Sequence, residues 1–167
     1  MPAGIPPPDG FDSSVGSLVE QEIRVKAFAV LLDASRSRHL VWVSRDETKQ
    51  PATFHRLLGG HVEFGEHSAD AVVREIAEEL ATDLADVTLL GVIENVFTYA
   101  GNPGHEVVFV YAATVSDGVV PDEGGWFDDG GPIRVEWRPV DVQTDIPLYP
   151  DRTQSLIDDW ISGQTTG

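Results

Sequence analysis

The chain of 167 residues contains no cysteine. Disulfides, thiolate metal sites and a cysteine nucleophile are therefore excluded from its stability and chemistry. Positive charge is scarce: 28 Asp and Glu face 11 Lys and Arg, for a formal net charge of −17. Such a surface repels nucleic-acid backbones and anionic bilayers, so neither duplex nucleic acid nor a membrane is an expected partner. It also repels a phosphorylated metabolite unless metal ions or local Lys and Arg reverse the field at a site. Long apolar runs are missing too. The most apolar stretches, Ala27–Leu32 and Val107–Ala113, fall well short of the roughly 18 residues that span a bilayer. The start of the chain carries Pro2, Pro6, Pro7 and Pro8 with no basic or long apolar segment, so no secretory signal is read there. Residues 1–18 are expected to form a flexible tail, and the cytoplasm is the expected location.

What remains is ordinary for a folded domain. A hydrophobic content of 41% with 23% charged residues supports one core, and residues 19–163 read as a single domain without internal repeats. Ile23–Asp33 and Arg38–Ser44 are rich in Val, Leu and Ile and are parted by Ala34-Ser35-Arg36-Ser37, which predicts a hairpin. Phe54–Leu58 resumes the apolar pattern and runs into Gly59-Gly60. Val87–Tyr99 and Glu106–Val115 predict a second hairpin around the turn residues Ala100 to Gly104. Val120–Pro132, with four glycines, predicts an irregular loop, and Ile133–Arg138 another strand. Leu156, Ile157, Trp160 and Ile161 mark a short terminal helix, capped by Asp151 or Thr153 and ending before Gly163. Strands and helices in this order predict an α+β domain with a mixed sheet between helices.

The clearest helix lies between the hairpins. Ala69, Val72, Val73, Ile76, Ala77 and Leu80 recur at spacings of three and four, with Ser68 as the expected N-cap and Asp70 in the first turn. At about 100° per residue, Glu79 lies roughly 40° from Glu75 and Glu78 roughly 60° to the other side, so the three share one stripe. Like charges at these spacings cost about 0.2–0.5 kcal/mol per pair. A hard divalent cation would turn that cost into ligation, and Mg²⁺ or Mn²⁺ suits an open carboxylate site completed by water and phosphate oxygens.

Glutamate-rich helix faces are commonly just solvated, but this run has company. Gly60 is followed after five residues by Glu66, and after seven more by Arg74-Glu75-Ile76-Ala77-Glu78-Glu79. Six Gly, Glu or Arg positions filled by accident would coincide on the order of 10⁻⁷ per start point. The pattern resembles the box of the Nudix hydrolases, whose closing Gly and aliphatic residue are replaced here by Ala81 and Thr82. The resemblance implies an α/β/α sandwich with the catalytic loop and helix set between strands. It implies Mg²⁺- or Mn²⁺-dependent hydrolysis of a phosphoanhydride bond in a nucleotide-like diphosphate. Glu75, Glu78 and Glu79 match the metal ligands, with Glu75 also matched to orienting or deprotonating water. Gly60 matches a position where a main-chain carbonyl approaches the metal, and Glu66 and Arg74 match supporting positions. Family members often add an acid from outside the box, for which Glu123, Asp128 and Asp129 are the candidates, and they are frequently homodimers.

Substrate choice is sought elsewhere. Tyr99 resembles a tyrosine found at a similar distance from the box in dinucleoside polyphosphate hydrolases, while Trp126 and Phe127 could stack on a base. His55, His61, His67 and His105 show no paired spacing for metal. Two rival classes are kept: a catalytically weak nucleotide-binding or sensing module, and a metal-free interaction domain. The intact glutamates argue against the first, because a retired site has no physical reason to keep repelling charges together, and the second ranks last.

Overall fold

The computed structural model describes residues 21–128, 130–142 and 144–164. The expected tail, residues 1–18, and Asp129 lie outside the described residues. Among those described, nine strands form one sheet, with a helix on each face.

Strand β1 (Arg24–Leu32) organises the sheet. Along one edge it runs parallel to β6 (Asn102–Thr114), which pairs antiparallel with β5 (Ala85–Tyr99). Its other edge divides. Lys26 to Ala29 pair antiparallel with β4 (Leu58–His61), whereas Leu31 and Leu32 pair with β2 (Arg38–Arg45). The path continues from β2 to β3 (Thr53–Arg56) and on to β9 (Leu148–Tyr149), which runs parallel to β3. A branch leads from β2 to β8 (Pro132–Pro139) and then β7 (Gly125–Asp128).

Alternation along β1 decides what each face receives. Ala27, Ala29 and Leu31 turn toward helix α1 (Ser68–Leu80), whose Ala71, Val72, Ile76 and Leu80 complete that core. The two alanines leave room for the helix to approach the sheet. Phe28, Val30 and Leu32 turn the opposite way and join Ile157 of helix α2 (Thr153–Gln164), with Leu156 and Trp160 against them. The α/β/α sandwich with a mixed sheet is thus the observed architecture.

Several local expectations change. The β5–β6 connection is a two-residue turn with positive φ at Ala100 and Gly101, so Pro103 and Gly104 belong to the strand. The glycine-rich stretch before Ile133 is not wholly irregular, because Gly125–Asp128 pairs with β8 and forms β7. Helix α2 runs through Gly163 to Gln164, and the Thr153 hydroxyl donates to the Pro150 carbonyl at 2.7 Å. For α1 the N-cap position falls on His67, with no side-chain cap, while the Ser68 hydroxyl pairs with that of Tyr111 at 2.7 Å.

Candidate active site

Two backbone approaches seat the glutamate helix on β4. Gly59 has φ of 122° and stands opposite Phe28, and its N–H donates to the Glu79 carboxylate, at 3.2 Å to Oε2. Gly60 stands opposite Ala27, where a Cβ would overlap the carboxylate of Glu75. Glycine is therefore required at residue 60 by contact with Glu75 rather than by a turn.

Arg74 organises the acids around it. Its Nε and Nη2 donate to the two oxygens of Glu66, both at 2.9 Å, in a bidentate pair. Nη1 donates to Glu75 Oε1 at 3.1 Å and stands 3.5 Å from Glu78 Oε2, and Nη2 also donates to the His61 carbonyl at 3.0 Å. The Arg74 hydrogen bonds hold Glu66 down at about 2, aided by backbone bonding from Glu63. Glu66 is in consequence a fixed negative partner, and the guanidinium is raised further above its usual range.

The three helix glutamates share one stripe by spacing but differ in environment. Glu79 is only 4% exposed, at the edge of the core, whereas 62% of the Glu78 side chain reaches solvent. Val73, assigned to the apolar stripe by spacing, is exposed instead. Among the described residues, no three Asp, Glu or His side chains are gathered closely enough to hold one metal ion as they stand. The donor set nevertheless fits a hard divalent cation. Glu66, Glu75 and Glu78 surround a single arginine, an excess of anionic oxygen, and the glycine-lined space at residue 60 is filled by the Glu75 carboxylate itself.

A cavity of about 370 Å³ opens on the Lys26 and Phe28 side of β1, lined by none of Glu66, Arg74, Glu75 or Glu78. The chain has two lysines in all, Lys26 and Lys49, and both line it, together with Arg24 and Arg56. Local cations thus reverse the field of a strongly acidic chain at this place. Phe54, Tyr99 and Tyr149 supply aromatic wall. Phe54 meets both tyrosines edge to face, with centroids 6.2 and 5.4 Å away. His61 joins cavity to cluster: its carbonyl accepts from Arg74, and its Nδ1 lies 3.1 Å from Lys26 Nζ.

Of the substrate-contact expectations that fall among the described residues, Tyr99 is the one that lines the cavity. Trp126, on β7, is 66% exposed and Phe127 packs on the α1 core. Glu123 lines a different cavity, with Asp33, Arg38 and Asp122. None of these three faces the Lys26 cavity, because β7 follows β8 on the branch of the sheet. His55 is buried against Arg138, and His105 pairs with Glu94. Spacing missed Arg24, Lys26, Lys49, Arg56, Phe54 and Tyr149. They come from elements far apart in the chain, and the one usable signal was the scarcity of lysine.

The model of the NUDIX domain matches residues 23–156. The chain belongs to the Nudix family. Membership makes it a hydrolase acting on nucleoside diphosphate derivatives, in a family generally dependent on divalent metals. Among solved structures, a MutT Nudix hydrolase from Burkholderia pseudomallei is 26% identical, with TM-score 0.56, over 83% of this chain and 98% of that one. A Nudix hydrolase from Nitrosomonas europaea is 21% identical, with TM-score 0.58, over 85% and 90%. A UDP-X diphosphatase is 17% identical, with TM-score 0.56, over 86% of this chain and 64% of the longer neighbour. The Nudix box of this chain is carried by the β4–α1 segment, and its closing position, Ala81, takes the left-handed conformation with φ 52° and ψ 40°.

Proposed function

We propose that this Nudix protein is an Mg²⁺- or Mn²⁺-dependent diphosphatase that cleaves the phosphoanhydride of a nucleoside diphosphate linked to another moiety. The observation that carries the reading is the juxtaposition, through His61, of the Arg74-held glutamates with a cationic and aromatic cavity. The Lys26 end, closest to Glu75, receives the diphosphate, and Tyr99 is the aromatic surface for a base. Glu75, Glu78 and Glu79 would hold the metal, which when bound supplies charge neutralisation and a lowered pKa for water. Ligation requires Glu75 and Glu78 to exchange Arg74 for the cation, with Glu66 keeping the guanidinium in place. Oε1, the Glu75 oxygen that Arg74 bonds here, would go to the cation, and Oε2 would orient the water and take its proton. Water oxygen bonds to phosphorus, the bridging P–O bond breaks, and its electron pair leaves on the departing phosphate.

The test is turnover of nucleoside diphosphate derivatives with Mg²⁺ or Mn²⁺ in [¹⁸O]water, which identifies the phosphorus attacked. Chelation with EDTA should abolish turnover, and Glu75→Gln should lower kcat by about 10²-fold or more. No turnover across a broad panel would sink the reading. The Arg74 ion pairs favour one rival, a nucleotide-binding module of weak activity, and calorimetry showing tight binding without product would establish it.

A further inference from the structure

We infer that the end of the cavity formed by Lys49 and Tyr149 is a subsite for a phosphate that the substrate carries in addition to the diphosphate it loses. The inference rests on the proposed function, which places the scissile diphosphate at the Lys26 end.

The two lysines mark opposite ends. Lys26 lies on β1 beside β4 and feels the charge of Glu106 first and of Glu75 more weakly, whereas Lys49 lies on the connection from β2 to β3, next to β9. Among the described residues neither makes a salt bridge, although Arg24, Arg36, Arg38, Arg45, Arg74 and Arg134 each find a carboxylate. In a chain with 28 acids, a half-buried ammonium left outside every salt bridge is a deliberate excess of positive charge. Lys49 is also positioned. Its Nζ stands 5.2 Å from the Tyr149 ring centroid, and its N–H donates to the Asp46 carbonyl at 3.1 Å. The Asp46 carboxylate in turn accepts from Thr48 and from the Ala100 N–H, tying this loop to the β5–β6 turn. Arg56, stacked on Trp42, lines the cavity as well and extends the positive surface. A cation held on an aromatic face, outside every salt bridge among the described residues and with the Asp46 carboxylate only as a longer-range counter-charge, can take a phosphate oxygen.

Such a phosphate has two chemical sources: a longer linear polyphosphate, or a monoester on the nucleotide's sugar. Matched pairs separate them, with diadenosine tetraphosphate against diadenosine diphosphate for the first and NADP⁺ against NAD⁺ for the second. Binding is measured by calorimetry with Mg²⁺ on full-length Glu75→Gln protein, in which turnover is suppressed. The phosphate-rich member of at least one pair should bind about tenfold more tightly or better, and adding Lys49→Met should erase that preference. Equal affinities within both pairs, a preference that survives Lys49→Met, or no binding at all would overturn the inference. Turnover of the phosphate-poor members by the wild-type protein, assayed separately, tests the diphosphatase and not the subsite.

Discussion

Ala81 shows what a single backbone angle costs. Its N–H donates to the Ala77 carbonyl at 3.0 Å and its φ of 52° closes the helix, a conformation in which a Cβ is crowded by about 1–2 kcal/mol. Ala81→Gly removes that crowding and gives back part of the gain through unfolded-chain entropy. The expected outcome is about 0.5–1 kcal/mol of added stability, read as a higher urea midpoint with an unchanged slope. Gly60 has the opposite tolerance. Its missing side chain is space used by Glu75, so Gly60→Ala should keep the circular dichroism spectrum and cost about tenfold or more in kcat by displacing that carboxylate. Both positions were visible in the sequence, one as a departure from the Nudix box and one as a match. Their physical reasons were not, because a contact between residues 60 and 75 has no signature in spacing. Nor could helical angles separate Glu78 from Glu79, since burial depends on how β4 meets the helix.

Elements with strong internal periodicity were legible: the β1–β2 hairpin, α1, and the β5–β6 pair. Short elements were not. Strand β9 has two residues and exists because β3 offers it a partner, and β7 forms from a glycine-rich stretch for the same reason at β8. The cavity was illegible as a site because it draws on β1, β3, β5, β6 and the segments around residues 49 and 150. Among these, the loop that carries Lys49 has an identifiable fastener. Asp46, 3% exposed, accepts from Thr48 Oγ1 at 2.6 Å and from the Ala100 N–H at 3.0 Å. The Thr48 bond in particular lowers its pKa, so the fastener stays charged throughout the neutral range. Asp46→Ala should accelerate amide exchange in residues 46–52 and raise KM for a nucleoside diphosphate derivative, with a smaller change in kcat. Unaltered exchange there would show that the loop is held by other means.

At the scale of the whole molecule, acid stability follows from which groups are buried neutral. His39 is fully buried on β2, opposite Arg138 on β8, and burial first and the arginine's charge second push its pKa from 6.5 to about 3. His55 and His61 are lowered as well, in each case chiefly by burial. The unfolded chain binds these protons near pH 6.5 while the folded protein refuses them, so stability declines as the pH drops below that value. The slope is up to about 1.4 kcal/mol per pH unit for each histidine that stays neutral. The carboxylates held by hydrogen bonds act lower on the scale. Glu66, at about 2 when folded against 4.5, contributes stability above its unfolded value and loses it as the pH falls toward its folded one. Between pH 6.5 and 4.5 the histidines therefore govern. Leucine approximates the volume of His39 and carries no proton, so His39→Leu should flatten the decline by about one bound proton. Urea unfolding at pH 7.0, 5.5 and 4.5 measures it, and an unchanged slope in the variant would assign the acid sensitivity to other groups.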